Sequence, residues 1–175
     1  MGGSPEQTVG EILAGEIMRG ASVSARAEMM IDLYPGTTEL SKNEQFLFML
    51  QEFYNNCAEK RCDYPIKVAA VVQYHQPTDV FIMAVVDNVP YPPEEVKRIV
   101  ESLNSSHPVR EGKNRPETED DIGWMWIPRI RQVLEAWGGG LEYKTSEDHR
   151  VAAVATWKKT AMETVELPQM SLEEL

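Results

Sequence analysis

The order of elements along this chain of 175 residues predicts an α/β domain: a two-layer α/β sandwich with a mixed, mostly antiparallel sheet and helices on one of its faces. Three observations predict it. Several stretches carry apolar residues every three to four positions and start or stop at a cap or a breaker, which reads as helix. Short β-rich runs lie between them. Twice, successive runs are separated by only a few turn formers, so they pair as antiparallel hairpins.

The first helix is signalled by Ser4, Pro5 and Gln7, which supply an N-cap, a proline at the first helical position and a capping-box partner. Val9, Ile12, Leu13 and Ile17 follow at helical spacing, and the helix is expected to end near Gly20. Ala27 to Leu33 reads as a strand closed by the Pro35-Gly36 turn. Ser41 with Glu44 forms a second capping box, ahead of Phe46, Met49, Leu50, Phe53 and Cys57 on a helix running to about Lys60. Ile66 to Tyr74 and Val80 to Val86 are two central strands around the turn formers Gln76, Pro77, Thr78 and Asp79.

Pro93-Glu94-Glu95 opens a third helix, whose first-turn acids favour the helix dipole and whose Val96, Ile99, Val100 and Leu103 form its apolar face. Asn104 to Asp121 is polar, is broken by Pro108, Gly112 and Pro116, and is expected to be a long mobile loop. A fourth helix from about Ile127 to Trp137 stops at Gly138-Gly139-Gly140. Leu141 to Thr145 and Val151 to Trp157 make the second hairpin, and the acidic stretch from Lys159 is expected to be a tail with at most a short strand.

Composition narrows the function. With 42% apolar residues the chain can bury one sizeable core. A net charge of −11 and a pI of about 4.8 disfavour nucleic acid and anionic membrane surfaces, and favour a partner with a basic face. No apolar run approaches the roughly 20 residues of a spanning helix, and the start lacks an export signal, so the expected location is cytoplasmic. Cys57 and Cys62 lack the ligand spacing of a zinc site and read as two reduced thiols in or near the core.

Three segments carry more than a fold. They are Gln51-Glu52-Phe53-Tyr54-Asn55-Asn56, Val86-Asp87-Asn88-Val89-Pro90-Tyr91-Pro92-Pro93-Glu94-Glu95, and Ile130-Arg131-Gln132-Val133-Leu134-Glu135-Ala136-Trp137-Gly138-Gly139-Gly140-Leu141-Glu142. In this order, and with Pro35-Gly36 ahead of them, they resemble the catalytic, ATP-binding domain of sensor histidine kinases of the nitrate-sensor and desaturase-sensor type, within the GHKL ATPase superfamily. The resemblance covers about Thr8 to Lys158, leaving residues 1–7 as an N-terminal extension or cloning scar and 159–175 as an acidic tail. It implies the Bergerat-type ATP-binding fold.

The resemblance also implies site residues. Asn56 matches the asparagine that holds Mg²⁺ between nucleotide phosphates, and Glu52 matches the glutamate placed as a base or to orient the attacked group. One helical turn separates them, so both lie on one helix face, and the alternative is a plain polar stripe. Asn55 competes with Asn56 for the inward position. Asp87 matches the carboxylate that accepts a hydrogen bond from the adenine amino group; the alternative for Asp87-Asn88 is an ordinary turn at a strand end.

Other positions depart from the pattern. Val89 and Tyr91 stand where the family has glycines that let backbone approach the ligand, and they should fill or reshape the purine pocket. Trp124 and Trp126 stand where a further glycine pair would expose N–H groups to phosphate. Pro128 removes an N–H nearby, and Glu117, Glu119, Asp120 and Asp121 would repel a triphosphate. No phosphoacceptor is evident: His75 falls at a strand end, His107 in the long loop and His149 in a hairpin turn, each most simply a surface residue.

The expectation is therefore a degenerate histidine-kinase-like ATP-binding domain in two-component signalling, acting by protein recognition of a response regulator or a kinase, with homodimerisation compatible. It carries no required cofactor. The alternatives are a working Mg²⁺-ATP domain in which Glu52, Asn56 and Asp87 keep the family roles, and an anti-sigma-like serine kinase, which needs the same nucleotide site. An unrelated α/β domain would be told apart by its strand order.

Overall fold

The computed structural model describes residues 5–21, 27–60, 62–105 and 127–167, with side chains in the first helix from Val9 onward. Its elements are α1 (Pro5–Arg19), β1 (Glu28–Leu33), α2 (Glu44–Ala58), β2 (Lys67–His75), β3 (Val80–Asp87), α3 (Pro93–Asn104), α4 (Ile127–Ala136), β4 (Gly140–Thr145), β5 (Val151–Lys158) and α5 (Lys159–Thr164). The strands form one five-stranded sheet in the order β1-β2-β3-β5-β4. Only β1 and β2 run parallel; the other three pairings are antiparallel. The expected mixed, mostly antiparallel sheet is present, and both expected hairpins close.

Every strand alternates between a buried and a more exposed face, because successive side chains point to opposite sides of the pleat. Met29, Ile31 and Leu33, Val68, Ala70 and Val72, Phe81, Met83 and Val85, Ala153, Ala155 and Trp157 all point to the helical side. Phe46, Met49, Leu50 and Phe53 of α2 and Ile130, Val133 and Leu134 of α4 complete that core. Phe81 and Trp157 face each other at 5.5 Å between ring centres, with Phe46 and Trp137 each 6.2 Å from Trp157. The opposite face is open, with Met30 66% exposed.

Both sheet edges have close neighbours that shield part of their unpaired backbone. Along β1 the α1 backbone lies so close that a methyl group on Gly10 would collide with the Ile31 carbonyl. Along β4 the Asn104 side chain mimics a strand: its Nδ2 donates to the Tyr143 carbonyl at 2.9 Å and its Oδ1 accepts from the Tyr143 N–H at 2.7 Å. Arg131 joins three elements by donating at 2.7 Å to both the Leu141 and the Leu103 carbonyls.

Four local expectations are revised or fall outside the description. Ser41 is not the cap of α2: it lies inside a 3-10 turn (Thr38–Lys42) and donates to the Thr38 carbonyl. Asn43, in extended backbone as an N-cap requires, accepts the Phe46 N–H at 2.9 Å instead. Ile12 is 59% exposed, so the buried stripe of α1 is Leu13, Ala14 and Ile17. The tail opens as a helix, not a strand, because the Asp79 carboxylate at the β2–β3 turn accepts from the backbone and hydroxyl of Thr160 and caps it. Ser4, Trp124, Trp126, His107 and the carboxylates from Glu117 to Asp121 lie outside the described residues, as does most of the expected loop.

Candidate functional site

The site is assembled where the C-terminal end of α2 meets the end of β3 and the β4–β5 turn. Asp87 is the last residue of β3 and is 1% exposed. Its period-2 position points its carboxylate to the helical side of the sheet, a costly place for a charge without partners. Two strong partners are present. The Lys60 ammonium lies 2.6 Å from Asp87 Oδ2, and the Val89 N–H donates to Asp87 Oδ1 at 2.9 Å. The second contact spans two residues and is an Asx-type turn, so Asp87 closes the strand end it belongs to.

Lys60 is just beyond the end of α2, where a cation also complements the helix dipole. The Tyr91 ring covers its ammonium at 4.6 Å from the ring centre. Burial works against the charged lysine, but Tyr91 and Asp87 outweigh it and hold its pKa above the ordinary lysine value. Cys57, one turn back along α2, lies in the same cluster, and burial followed by the neighbouring Asp87 carboxylate pushes its thiol well above the usual range. That thiol is inert at neutral pH.

Val89 and Tyr91 both pack against the core. The Tyr91 N–H donates to the His149 carbonyl at 2.9 Å, which ties the segment after β3 to the β4–β5 turn. Asn88 accepts from the Lys67 N–H at 2.8 Å and donates to the Pro65 carbonyl at 3.1 Å, locking the start of β2. The segment that aligns with a glycine box is thus a packed strand end.

On α2 the two asparagines separate. Asn55 is buried and accepts from Gln51 Nε2 at 3.1 Å, while the same Gln51 nitrogen donates to the Ile17 carbonyl at 3.1 Å and holds α1 against α2. Asn56 is half-buried, and its carboxamide makes no hydrogen bond to another described residue. Glu52 is also half-buried, and burial, then the nearby Glu59, raises its pKa above the ordinary carboxylate value. Among the described residues no group of three or more His, Cys, Asp or Glu is placed to hold a metal ion.

Each Asp87 oxygen already has a donor, so an adenine amino group would have to share an oxygen with the Lys60 ammonium or the Val89 N–H. Sequence reasoning missed the residue responsible. Lys60 was legible only as a helix end, although it falls four positions after Asn56 and eight after Glu52, on the same stripe of α2.

Gly138 and Gly139 have structural duties. Gly138 adopts a φ of 72° and donates to the Glu135 carbonyl, and Gly139 donates to the Leu134 carbonyl, which is the Schellman end of α4. Among the described residues no helix is long and apolar enough to cross a membrane.

No protein-family model matches the chain, and no curated protein matches it. Solved structures do. The blue-light-activated histidine kinase EL346 of Erythrobacter litoralis superposes with a TM-score of 0.54 at 11% identity, covering 92% of this chain and 44% of that one. The histidine kinase domain of the same protein gives 0.52 at 14% identity, with 94% and 71% covered. A nucleotide-free catalytic domain of histidine kinase ThkA gives 0.53 at 14% identity, with 87% and 90% covered. The chain has the fold of a histidine-kinase catalytic domain, and spans less than half the length of the EL346 kinase.

Proposed function

We propose that this domain is a degenerate relative of histidine-kinase catalytic domains that acts in two-component signalling, in the cytoplasm, by recognising a response regulator or a kinase and not by turning over ATP. The observation that carries this reading is the ion pair that already occupies Asp87: Lys60 holds one oxygen at 2.6 Å and the Val89 N–H the other at 2.9 Å. A buried acceptor already bonded to a charged donor gains little from a neutral amino group. Val89 and Tyr91, packed where glycines would leave room, support the same reading.

A second reading has one observation in its favour. The Asn56 carboxamide is free among the described residues and shares a helix face with Glu52, so the half of the site that would face Mg²⁺ and phosphate is not used by the fold. Calorimetric titration of the 175-residue chain with ATP or ADP and Mg²⁺, with Asn56→Ala as control, separates the two. The expected result is no heat at millimolar nucleotide from a folded sample. Micromolar binding abolished by the substitution would establish the working-site reading.

A further inference from the structure

Besides the open sheet face, which nothing in the structure shows to be covered, the strongest unassigned feature is the cluster around Lys60. We propose that Lys60 is an internal occupant of the base site: its ammonium stands where an external amino donor would meet Asp87, and it is the residue that excludes purines. This inference rests on the degenerate-domain reading above and names the residue responsible for it.

The argument starts from what a purine-amino site requires: a buried carboxylate at a strand end and an apolar or aromatic wall beside it. Both are present. Asp87 is 1% exposed at the end of β3, and Tyr91 is held in place by its backbone bond to the His149 carbonyl. Between them sits the Lys60 ammonium, 2.6 Å from the carboxylate and 4.6 Å from the ring centre. A neutral exocyclic amine offers Asp87 a weaker bond than an ammonium does, so it cannot displace Lys60. Lys60 is also tethered to α2, so its local concentration at Asp87 is far above that of any ligand in solution.

The remainder of the site does not depend on Lys60. The Asx turn is made by the Val89 N–H, and Tyr91 is anchored by its main chain. Removing the ammonium should therefore leave a carboxylate, a ring and a gap between them.

The test uses adenosine, which needs no phosphate-binding glycines, with the full chain, Lys60→Ala, Lys60→Met and Lys60→Ala/Asp87→Asn. Lys60→Met keeps a long unbranched side chain and guards against loss of folding in the alanine variant. Binding is read by calorimetry and by the ligand's effect on the melting temperature, with ethylammonium as a second probe that should refill the gap. The expected outcome is that adenosine binds at least one lysine variant about tenfold or more tighter than the unmodified chain, and that Asp87→Asn reverses the gain. Ethylammonium should raise the melting temperature of Lys60→Ala and not of the unmodified chain. If both lysine variants fold and bind adenosine no better than a silent unmodified chain, the role of Lys60 is refuted and the degenerate reading stands. If the unmodified chain binds adenosine as tightly as the variants, both are refuted.

Discussion

Alanine substitution along Gly138-Gly139-Gly140 should give three different outcomes, set by what a Cβ meets at each position. At Gly139 it would collide with the Thr156 carbonyl, whose carbon lies 2.5 Å away, and approach the Trp157 Cα at 2.7 Å. Both are backbone atoms of β5, which is paired with β3 on one side and β4 on the other and cannot shift alone. Gly139→Ala should therefore sit at the upper end of overpacking, at about 3 kcal/mol. In a chain of this size that lowers the melting temperature by about 6–12 °C. At Gly138 the new Cβ meets only the flexible Lys158 side chain at 3.4 Å, so the cost is that of its φ of 72°, about 1 kcal/mol. At Gly140 nothing lies within 4 Å, and the change should stay within about 0.5 kcal/mol. Urea denaturation and calorimetric melting of the three variants measure the order directly. A Gly139→Ala protein as stable as the parent, or a Gly140→Ala protein less stable than Gly139→Ala, would refute the claim that these glycines serve the close approach of α4's end to β5.

The Lys60–Asp87 pair should show strong coupling. Lys60→Ala leaves a buried carboxylate unpaired and should cost about 3 kcal/mol, whereas adding Asp87→Asn should cost markedly less than the sum of the single changes in a double-mutant cycle followed by urea denaturation. Glu52→Gln should stabilise the protein at pH 7.5. Burial and Glu59 raise the folded pKa of Glu52 above 4.5, so the folded state binds more protons than the unfolded one between the two values. Stability is then lost as pH rises through that window, and the amide removes the loss. Melting temperatures at pH 7.5 and pH 4 test the sign: the gain should be present at the first and nearly absent at the second.

The sheet was legible in the sequence because period-2 patterns such as Val80 to Val86 and the turn formers around Pro77 are local signals. The cap of α2 was misread because Ser41 and Asn43 are both competent caps two residues apart, and the 3-10 turn that uses up Ser41 depends on tertiary packing of Leu40, which is buried. The helical start of the tail was illegible for the same reason, since its cap comes from Asp79, 81 positions away. For the site, spacing placed Glu52 and Asn56 on one helix face. It could not show that Lys60 reaches Asp87 across 27 positions, a pairing set only once α2 lies over β3.

The residues that carry the sequence resemblance mostly have duties in the fold itself. Gln51 and Asn55 tie α1 to α2, Asp87 closes its own strand end, and Gly138 and Gly139 end α4 and admit β5. Their presence is therefore explained without a nucleotide. Glu52 and Asn56 are the exceptions: both are half-buried, and neither side chain has a hydrogen-bond partner among the described residues. On this reasoning Asn56→Ala should change stability by no more than about 0.5 kcal/mol, and could raise it slightly, since alanine is the better helix former. Asn55→Ala removes a buried acceptor and leaves Gln51 with one partner fewer, so it should cost about 1–3 kcal/mol. Parallel urea denaturation of the two variants distinguishes them. A loss above about 1 kcal/mol in Asn56→Ala would assign that residue to the fold as well. A neutral result leaves Asn56 without a duty in the fold.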